Sequence, residues 1–308
     1  MVCKNCTLKP VMKLTNSNIS LCKLCYIRYF EKKVKKTISD YNLIEKNDHL
    51  VIACSGGKDS TSLLYLVHKI VEKRKDIKVT ALAIDEGIHG YRNESLIFLT
   101  NFCKTLGVEL KIFSYKEEFG KTLDEILKTY KGIPCSLCGV LRRYLLNKKS
   151  KELKATKLAT GHNLDDEAQS VMMNYFRNNL KISARMGPKT GMVKDERFIP
   201  RIKPLYLLAE KEVTAYAFLK GFMDKFNECP NSDEAYRNSI RNMLNDYECK
   251  FPGTKNSIIL SFLEILPLLK NHYKNNTETI KSCSTCGEPC SQEICKACVY
   301  IKEVIKGK

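Results

Sequence analysis

The sequence predicts an α/β protein with a parallel sheet and a small cysteine-rich module at each end. Three observations support this prediction. Strand-like and helix-like segments alternate through the centre of the chain. The first central strand runs through a glycine turn into a helix and then a second strand, which favours a right-handed β-α-β unit. Two C-x-x-C motifs lie near each end of the chain.

Composition and charge narrow the class of protein. The 308 residues suffice for a full core with small appendages. The formal net charge of +18 suggests a polyanionic partner, first of all nucleic acid, although lysines that only solvate the surface would give the same value. No apolar run is long enough to cross a membrane, and the first residues do not resemble a signal peptide. We therefore expect a cytoplasmic, reduced protein, in which fifteen cysteines indicate metal sites rather than disulfides.

Each terminal module has the cysteine spacing of a zinc ribbon. Two C-x-x-C motifs at this separation fit one tetrahedral ion, which would serve as the core of a segment too small to fold alone. The predicted zinc ligands are Cys3, Cys6, Cys22 and Cys25 in the first module, and Cys283, Cys286, Cys295 and Cys298 in the second. Cys290 lies between the last two motifs and is expected to be a spare thiol.

The central motif is S-G-G-K-D-S, which follows the first buried strand and opens the next helix. Backbone N–H groups converge at such a turn, and the helix dipole favours negative charge there. Gly56 and Gly57 let a phosphate approach the backbone. Lys58 adds a positive charge, and the hydroxyls of Ser55 and Ser60 add donors. The motif is not a Walker A loop, but it predicts a nucleotide phosphate site.

Two further segments follow predicted strands, where open α/β sheets bind their ligands. The second central strand ends near Ile84, which could lie against an adenine base. Another strand–turn–helix junction contains Asp165 and Asp166, of which we expect at most one to face the site. The alternatives are an ordinary turn and a well-capped helix.

One C-x-x-C motif, formed by Cys135 and Cys138, has no second motif nearby. By itself it fits half of a zinc site, a redox dithiol or half of an iron–sulfur site. Its candidate third ligand is Cys229, which precedes a proline as cysteines beside clusters often do. A helix with Arg142 and Arg143 follows the motif.

Two basic segments could contact phosphate. One is the helix predicted at 26–36, and the other contains Arg237 and Arg241 one helical turn apart. A solvated surface and a surface salt-bridge ladder are equally good interpretations.

Together, these motifs resemble the TtuA and NcsA group of tRNA 2-thiouridine synthetases in the PP-loop ATP pyrophosphatase superfamily. The resemblance extends from residue 3 to residue 298 and includes C-S-L-C-G at 135–139, G-H-N-L-D-D-E-A-Q at 161–169 and E-C-P at 228–230. It implies a Rossmann-like PP-loop domain, of the adenine nucleotide alpha hydrolase type, with helices on both faces of the sheet. The domain would be flanked by two zinc ribbons, usually in a homodimer.

We place the domain boundaries on this basis. Residues 1–27 form the first ribbon, 28–273 the ATP-binding domain with its basic amino-terminal helix, and 274–308 the second ribbon.

The resemblance implies that ATP, with Mg²⁺, is cleaved between its α- and β-phosphates. The AMP is transferred to the C2 oxygen of a tRNA uridine, and sulfur then replaces that oxygen to give 2-thiouridine. The residues expected at the nucleotide are Ala53, Ser55, Gly56, Gly57, Lys58, Asp59, Ser60, Ile84 and Gly161.

The resemblance also assigns the sulfur chemistry. Cys135, Cys138 and Cys229 would hold a [4Fe-4S] cluster by three thiolates, which leaves one iron open to sulfide. The residues expected to act in catalysis are Asp166, Lys58, Arg142, Cys135 and Cys229. Whether Arg142 or its neighbour faces ATP stays open.

The group modifies uridine 34 or uridine 54, and thiolation at 54 is a heat adaptation. This chain is rich in Asn, Cys and Met, which is not the composition of a heat-adapted protein, so we favour 34. The sulfur donor is either sulfide or a thiocarboxylated ubiquitin-like protein. Three alternatives remain: a cluster-free persulfide on Cys135 and Cys229, another PP-loop enzyme such as a lysidine synthetase or an amide-forming ligase, and a non-catalytic nucleic-acid binder.

Overall fold

The computed structural model describes residues 2–14, 17, 19–191, 197–222, 229–231, 236–274 and 281–305. Within these ranges the first half of the chain contains β1 (Met12–Lys13), β2 (Ser20–Leu21), α1 (Lys23–Asp40), β3 (His49–Ala53), α2 (Lys58–Val71), β4 (Lys78–Asp85), α3 (Arg92–Leu106), β5 (Glu109–Ser114), α4 (Tyr115–Phe119), α5 (Leu123–Leu127) and α6 (Pro134–Glu152). The second half contains β6 (Lys157–Ala159), α7 (Leu164–Phe176), α8 (Leu180–Ser183), β7 (Arg201–Ile202), α9 (Glu210–Lys220), α10 (Tyr236–Lys250), α11 (Thr254–Lys274), β8 (Lys281–Ser282), β9 (Pro289–Cys290), α12 (Lys296–Tyr300) and a π-helical turn at Ile301–Ile305.

The central sheet has five parallel strands in the order β5-β4-β3-β6-β7. Its middle strand reads Leu50-Val51-Ile52, and all three side chains are fully buried. Such a continuous apolar run is what a strand covered on both faces requires. The α/β prediction with a parallel sheet is therefore confirmed.

Alternation along this strand separates two hydrophobic cores. Leu50 and Ile52 pack in one core with residues of α1, α2, α3 and α9. Val51 points the other way, into a second core with residues of α5 and α6. Helices thus cover both faces of the sheet, as predicted. A third cluster joins α7, α10 and α11 beyond the β7 edge.

Each terminal cysteine module extends a different core. Cys3 and Cys22 belong to the first core, whereas Cys283, Cys295 and Cys298 belong to the second. The first module continues directly into α1. None of the described helices combines the length and the apolarity of a membrane span.

Candidate active site

The S-G-G-K-D-S segment forms a braced turn between β3 and α2. The Ser60 hydroxyl accepts a hydrogen bond from the Ser55 N–H at 3.1 Å and donates one to the Gly57 carbonyl at 3.0 Å. Gly56 has a φ of +81°, and a Cβ there would lie 2.6 Å from the Ser95 carbonyl oxygen. Only glycine meets both demands, so the turn depends on this residue.

Lys58, the first residue of α2, is held between two carboxylates. Its Nζ lies 2.9 Å from Asp59 Oδ2 and 3.0 Å from Glu210 Oε1. Burial opposes its charge, but the two carboxylates prevail and raise the pKa of Lys58. The lysine is therefore firmly cationic beside the loop, where it could attract phosphate.

The β6–α7 junction packs directly on this turn. A Cβ at Gly161 would lie 3.0 Å from backbone atoms of Asp59 and Ser60, so a larger residue would push the two segments apart by a few tenths of an ångström. Asn163 then ties the two segments together, because its side-chain amide donates to Asp59 Oδ1 at 3.0 Å.

Asp166 faces this junction, whereas Asp165 does not. Asp166 Oδ2 accepts the Asn163 N–H at 3.2 Å, and Oδ1 lies 3.4 Å from Nη1 of Arg237. Asp165 is 6% exposed, accepts the Glu210 N–H at 2.7 Å and pairs with Lys255. Asp166 therefore completes the capping box of α7 and stays partly exposed beside the loop, while Asp165 is structural.

Enclosure changes the acid strength of Asp166. Burial raises its pKa to about 6; Arg237 and the Asn163 N–H work against this shift, and the negative charges of Asp59 and Glu210 add to it. Its side chain nevertheless remains 27% exposed. A carboxyl group with this pKa changes protonation near neutral pH and suits proton transfer.

At the end of β4, little of Ile84 is free to make the predicted contact with adenine. The Ile84 side chain is 2% exposed and packs in the second core, and its carbonyl accepts a hydrogen bond from Arg92. Ala53, at the end of β3, is partly exposed.

A buried carboxylate links the loop to the C-x-x-C motif of α6. Arg92 donates to the Ser55 carbonyl at 2.8 Å, and its Nε lies 2.9 Å from Glu86 Oε2. The other oxygen of Glu86 lies 2.8 Å from Nε of Arg142. Arg142 Nη2 in turn donates to Cys138 Sγ at 3.1 Å.

Sequence reasoning did not single out Glu86 and Arg92 as site residues. The available signal was their position after β4, at the carboxyl end of the sheet: Glu86 follows the strand directly, and Arg92 begins α3. Because Arg142 contacts both Glu86 and Cys138, its side chain faces the cysteines.

The three candidate cluster cysteines lie near one another at the start of α6. Cys135 Sγ donates to the Asn231 carbonyl at 3.1 Å, which brings the segment with Cys229 against this helix. Burial, and then repulsion from Cys229 and Cys138, raise the pKa of Cys135. The sulfurs of this set are not all within 4.8 Å of one another. Glu228 of the E-C-P motif lies outside the described residues.

The terminal cysteine sets are more compact. In each set, the four Sγ atoms all lie within 4.8 Å of one another. The sets are Cys3, Cys6, Cys22 and Cys25, and Cys283, Cys286, Cys295 and Cys298. Four mutually close thiols suit a single tetrahedral ion, for which a zinc–sulfur bond measures about 2.3 Å. Cys290 is not in the set, and its sulfur donates to the Gln292 carbonyl at 2.9 Å.

A parallel sheet with a glycine turn and helix at its carboxyl edge defines a nucleotide-binding α/β protein. Comparison with known proteins narrows this class. A family model described as a PP-loop domain matches residues 27–248. The tRNA 2-thiolation protein NcsA of Haloferax volcanii is 35% identical over 318 residues, which cover 99% of each chain.

Other relatives agree. The tRNA-5-methyluridine(54) 2-sulfurtransferase of Pyrococcus horikoshii is 35% identical, covering 97% of this chain and 93% of its own. The cytoplasmic tRNA 2-thiolation protein 1 of Dictyostelium discoideum is 36% identical, and the match covers 99% of this chain and 84% of the relative. The solved structure of the U34-tRNA thiolase NcsA from Methanococcus maripaludis with its [4Fe-4S] cluster matches with a TM-score of 0.83 at 34% identity, covering 99% and 96%. The chain belongs to the PP-loop family of tRNA 2-thiolation proteins.

Proposed function

We propose that this protein is an ATP-dependent tRNA-uridine 2-sulfurtransferase. The observation that carries the proposal is the continuous contact from Ser55 through Arg92, Glu86 and Arg142 to Cys138. It places a nucleotide loop and a cysteine set on either side of one buried carboxylate. A lysidine synthetase or an amide-forming ligase needs no such cysteine set.

The loop residues prepare the leaving group. The C2 oxygen of uracil leaves poorly, so the transfer of AMP from ATP to this oxygen, with release of pyrophosphate, would make its later displacement by sulfur feasible. The N–H groups of residues 55–60 and the ammonium of Lys58 stabilise charge on the phosphates, which Mg²⁺ would accompany. Glu210 and Asp59 hold Lys58 ready before ATP arrives.

The cysteines around α6 fit a cluster held by three thiolates. Cys135, Cys138 and Cys229 offer three partly or fully buried sulfurs, spread more widely than around a single ion. When bound, such a cluster supplies an iron without a protein ligand, at which sulfide can bind. Arg142 offsets thiolate charge at Cys138, and Asp166 orients the base or moves a proton at its carboxyl oxygens.

The remaining assignments follow the same relatives. We propose zinc in both terminal cysteine sets, a homodimer and a cytoplasmic location, as the name of the Dictyostelium relative indicates. Sulfide or a thiocarboxylated carrier protein would supply sulfur. We favour uridine 34, the position named for the NcsA structure, over the 54 named for the Pyrococcus relative. Loss of 2-thiouridine at 54 alone in tRNA from a deletion strain would overturn this choice.

The test is a thiolation assay on anaerobically purified protein of known metal content. We expect about four iron atoms and about two zinc ions per chain. With tRNA, ATP and sulfide, 2-thiouridine and AMP should form together. Zinc without iron in an active preparation would favour the cluster-free persulfide route. An iron-loaded protein that forms no AMP would contradict the enzyme assignment and favour a non-catalytic nucleic-acid binder.

A further inference from the structure

A positively charged region lies beside the cleft at the β6–β7 edge of the sheet. Its centre is His162, which follows β6 and hydrogen-bonds through Nδ1 to the Thr160 hydroxyl at 2.8 Å. The residue keeps an exposed edge, but the protein packed around its ring and then four neighbouring cations lower the pKa of His162 to about 3; the cations are Lys203, Arg237, Arg201 and Arg143. Four cationic side chains therefore converge on this one ring.

Among the residues that the structure describes, carboxylate partners are found for two of these four cations. Lys203 Nζ lies 2.7 Å from Glu167, and Arg237 pairs with Asp166. The guanidinium groups of Arg143 and Arg201 have neither an ion pair nor a hydrogen bond with any other part of the chain that the structure describes. The two groups are close enough to repel each other, because burial and then the charge of Arg143 lower the pKa of Arg201 to about 10. Two neighbouring like charges without a counter-charge favour an anion from outside.

Backbone geometry directs both arginines to one face of the sheet. Arg201 pairs in register with Leu158 of β6, and paired residues project to the same face. Leu158 packs in the second core with Leu141 and Leu145 of α6, so Arg201 projects to the α6 side. The Arg143 guanidinium folds back along α6, because its nitrogens would lie 3.3 and 3.4 Å from a Cβ on Gly139.

This position separates the two arginines from the nucleotide loop. The sheet order places β7 two strands away from β3, or about 10 Å at the usual strand spacing. The loop also opens α2 on the opposite face. Arg143, by contrast, lies close enough to Cys138 for that sulfur to influence its pKa, which burial and the neighbouring Arg142 and Arg237 lower. The anion that fits here therefore approaches from the sulfur side of the cleft.

We propose that Arg143 and Arg201 together grip a backbone phosphate of the tRNA next to the uridine that enters the cleft. A base must leave its stack to be modified, and a gripped phosphate would fix the register of the exposed nucleotide. Two planar guanidinium groups suit the several oxygens of one phosphate. The inference rests on the proposed tRNA-modifying function and adds two positioning residues to it.

The experiment uses the metal-loaded protein with Arg143→Gln, Arg201→Gln and the double substitution. Binding of unmodified tRNA is measured as a function of salt concentration. Each lost phosphate contact should reduce the slope of log K against log salt by about 0.7–0.9. At one salt concentration, the double variant should bind tRNA about tenfold or more weakly. In turnover assays the KM for tRNA should rise while kcat at saturating tRNA is retained.

Four controls make the result specific. Arg74→Gln removes an exposed arginine that pairs with Asp76, and should leave the slope unchanged. Arg143→Lys and Arg201→Lys keep the charge and should recover most of the slope. Binding of an ATP analogue without tRNA should not change in any variant, and melting temperatures establish that each variant is folded.

Two results would overturn the proposal. One is an unchanged salt slope and tRNA affinity in the folded double variant. The other is a loss of ATP-analogue affinity as large as the loss of tRNA affinity, which would assign the arginines to the nucleotide phosphates. Neither result touches the proposed function, which fails only if the unsubstituted protein does not thiolate tRNA.

Discussion

The two terminal cysteine modules have the same ligand pattern but support different parts of the molecule. The first module leads into α1, where Phe30 stacks on Tyr216 of α9 at 4.2 Å, behind the nucleotide loop. The second packs on α6, where Glu288 lies 2.8 Å from Lys151. One module therefore stabilises the half of the protein that holds the nucleotide, and the other stabilises the half that holds the cysteines. Motifs that look alike in sequence can thus support different parts of one fold.

The largest expected effect comes from breaking the link between the halves. Glu86 is 2% exposed and pairs with both Arg92 and Arg142. Glu86→Gln leaves two arginines without their counter-charge, so we expect a stability loss of about 3–5 kcal/mol. Thiolation should fall about 100-fold or more, because both sites lose their alignment. Denaturant unfolding and the thiolation assay measure these effects.

A matched control is Glu109→Gln, which affects an exposed carboxylate paired with Lys111. It should change stability by less than about 1 kcal/mol. An equal stability loss in both variants would contradict the linking role of Glu86.

The second effect distinguishes the two modules. Cys22→Ser and Cys298→Ser each remove one ligand of a four-thiol set, so zinc content should fall from about two ions to about one. The Cys298 variant should lose iron and keep ATP-analogue binding, since α6 loses its support. The Cys22 variant should weaken ATP-analogue binding and keep its iron. Metal analysis and equilibrium binding measure these effects, and identical profiles would refute the division.

The third effect is a pH dependence that belongs to the nucleotide half. Asp166 has a raised pKa of about 6, so it is protonated below that pH and ionised above it. If the carboxylate acts as a base, kcat/KM rises with pH through about 6 and then levels. Asp166→Asn should remove this limb and reduce kcat about 100-fold or more. A limb that persists in the variant would mean that another group titrates.

The smallest effect concerns the surface of the second module. Glu288→Gln weakens the pair with Lys151, which is partly exposed, so the expected stability loss is about 0.5–1 kcal/mol. The melting temperature should fall slightly, with little change in thiolation. A large loss of iron in this variant would mean that the module is attached to α6 mainly through this pair.

The sequence predicted those features that depend on short local patterns of residues. The apolar run at Leu50–Ile52 indicated a buried strand, and cysteine spacing indicated the two compact thiol sets. It could not predict contacts between distant segments. The bridge through Glu86 depends on β4 and α6 meeting across the core. Likewise, the adjacent residues Asp165 and Asp166 do not by themselves show which of the two forms an ion pair with Lys255 and is thereby buried.

The close packing at Gly161 has a mechanical consequence. A methyl group there would crowd backbone atoms of Asp59 and Ser60 at 3.0 Å, and Asn163 joins the same two segments. The phosphate loop and the start of α7 are therefore coupled through direct contact. A small displacement of the loop around a triphosphate would move the Asp166 carboxyl with it, so nucleotide binding would also position the group for which we propose a role in proton transfer.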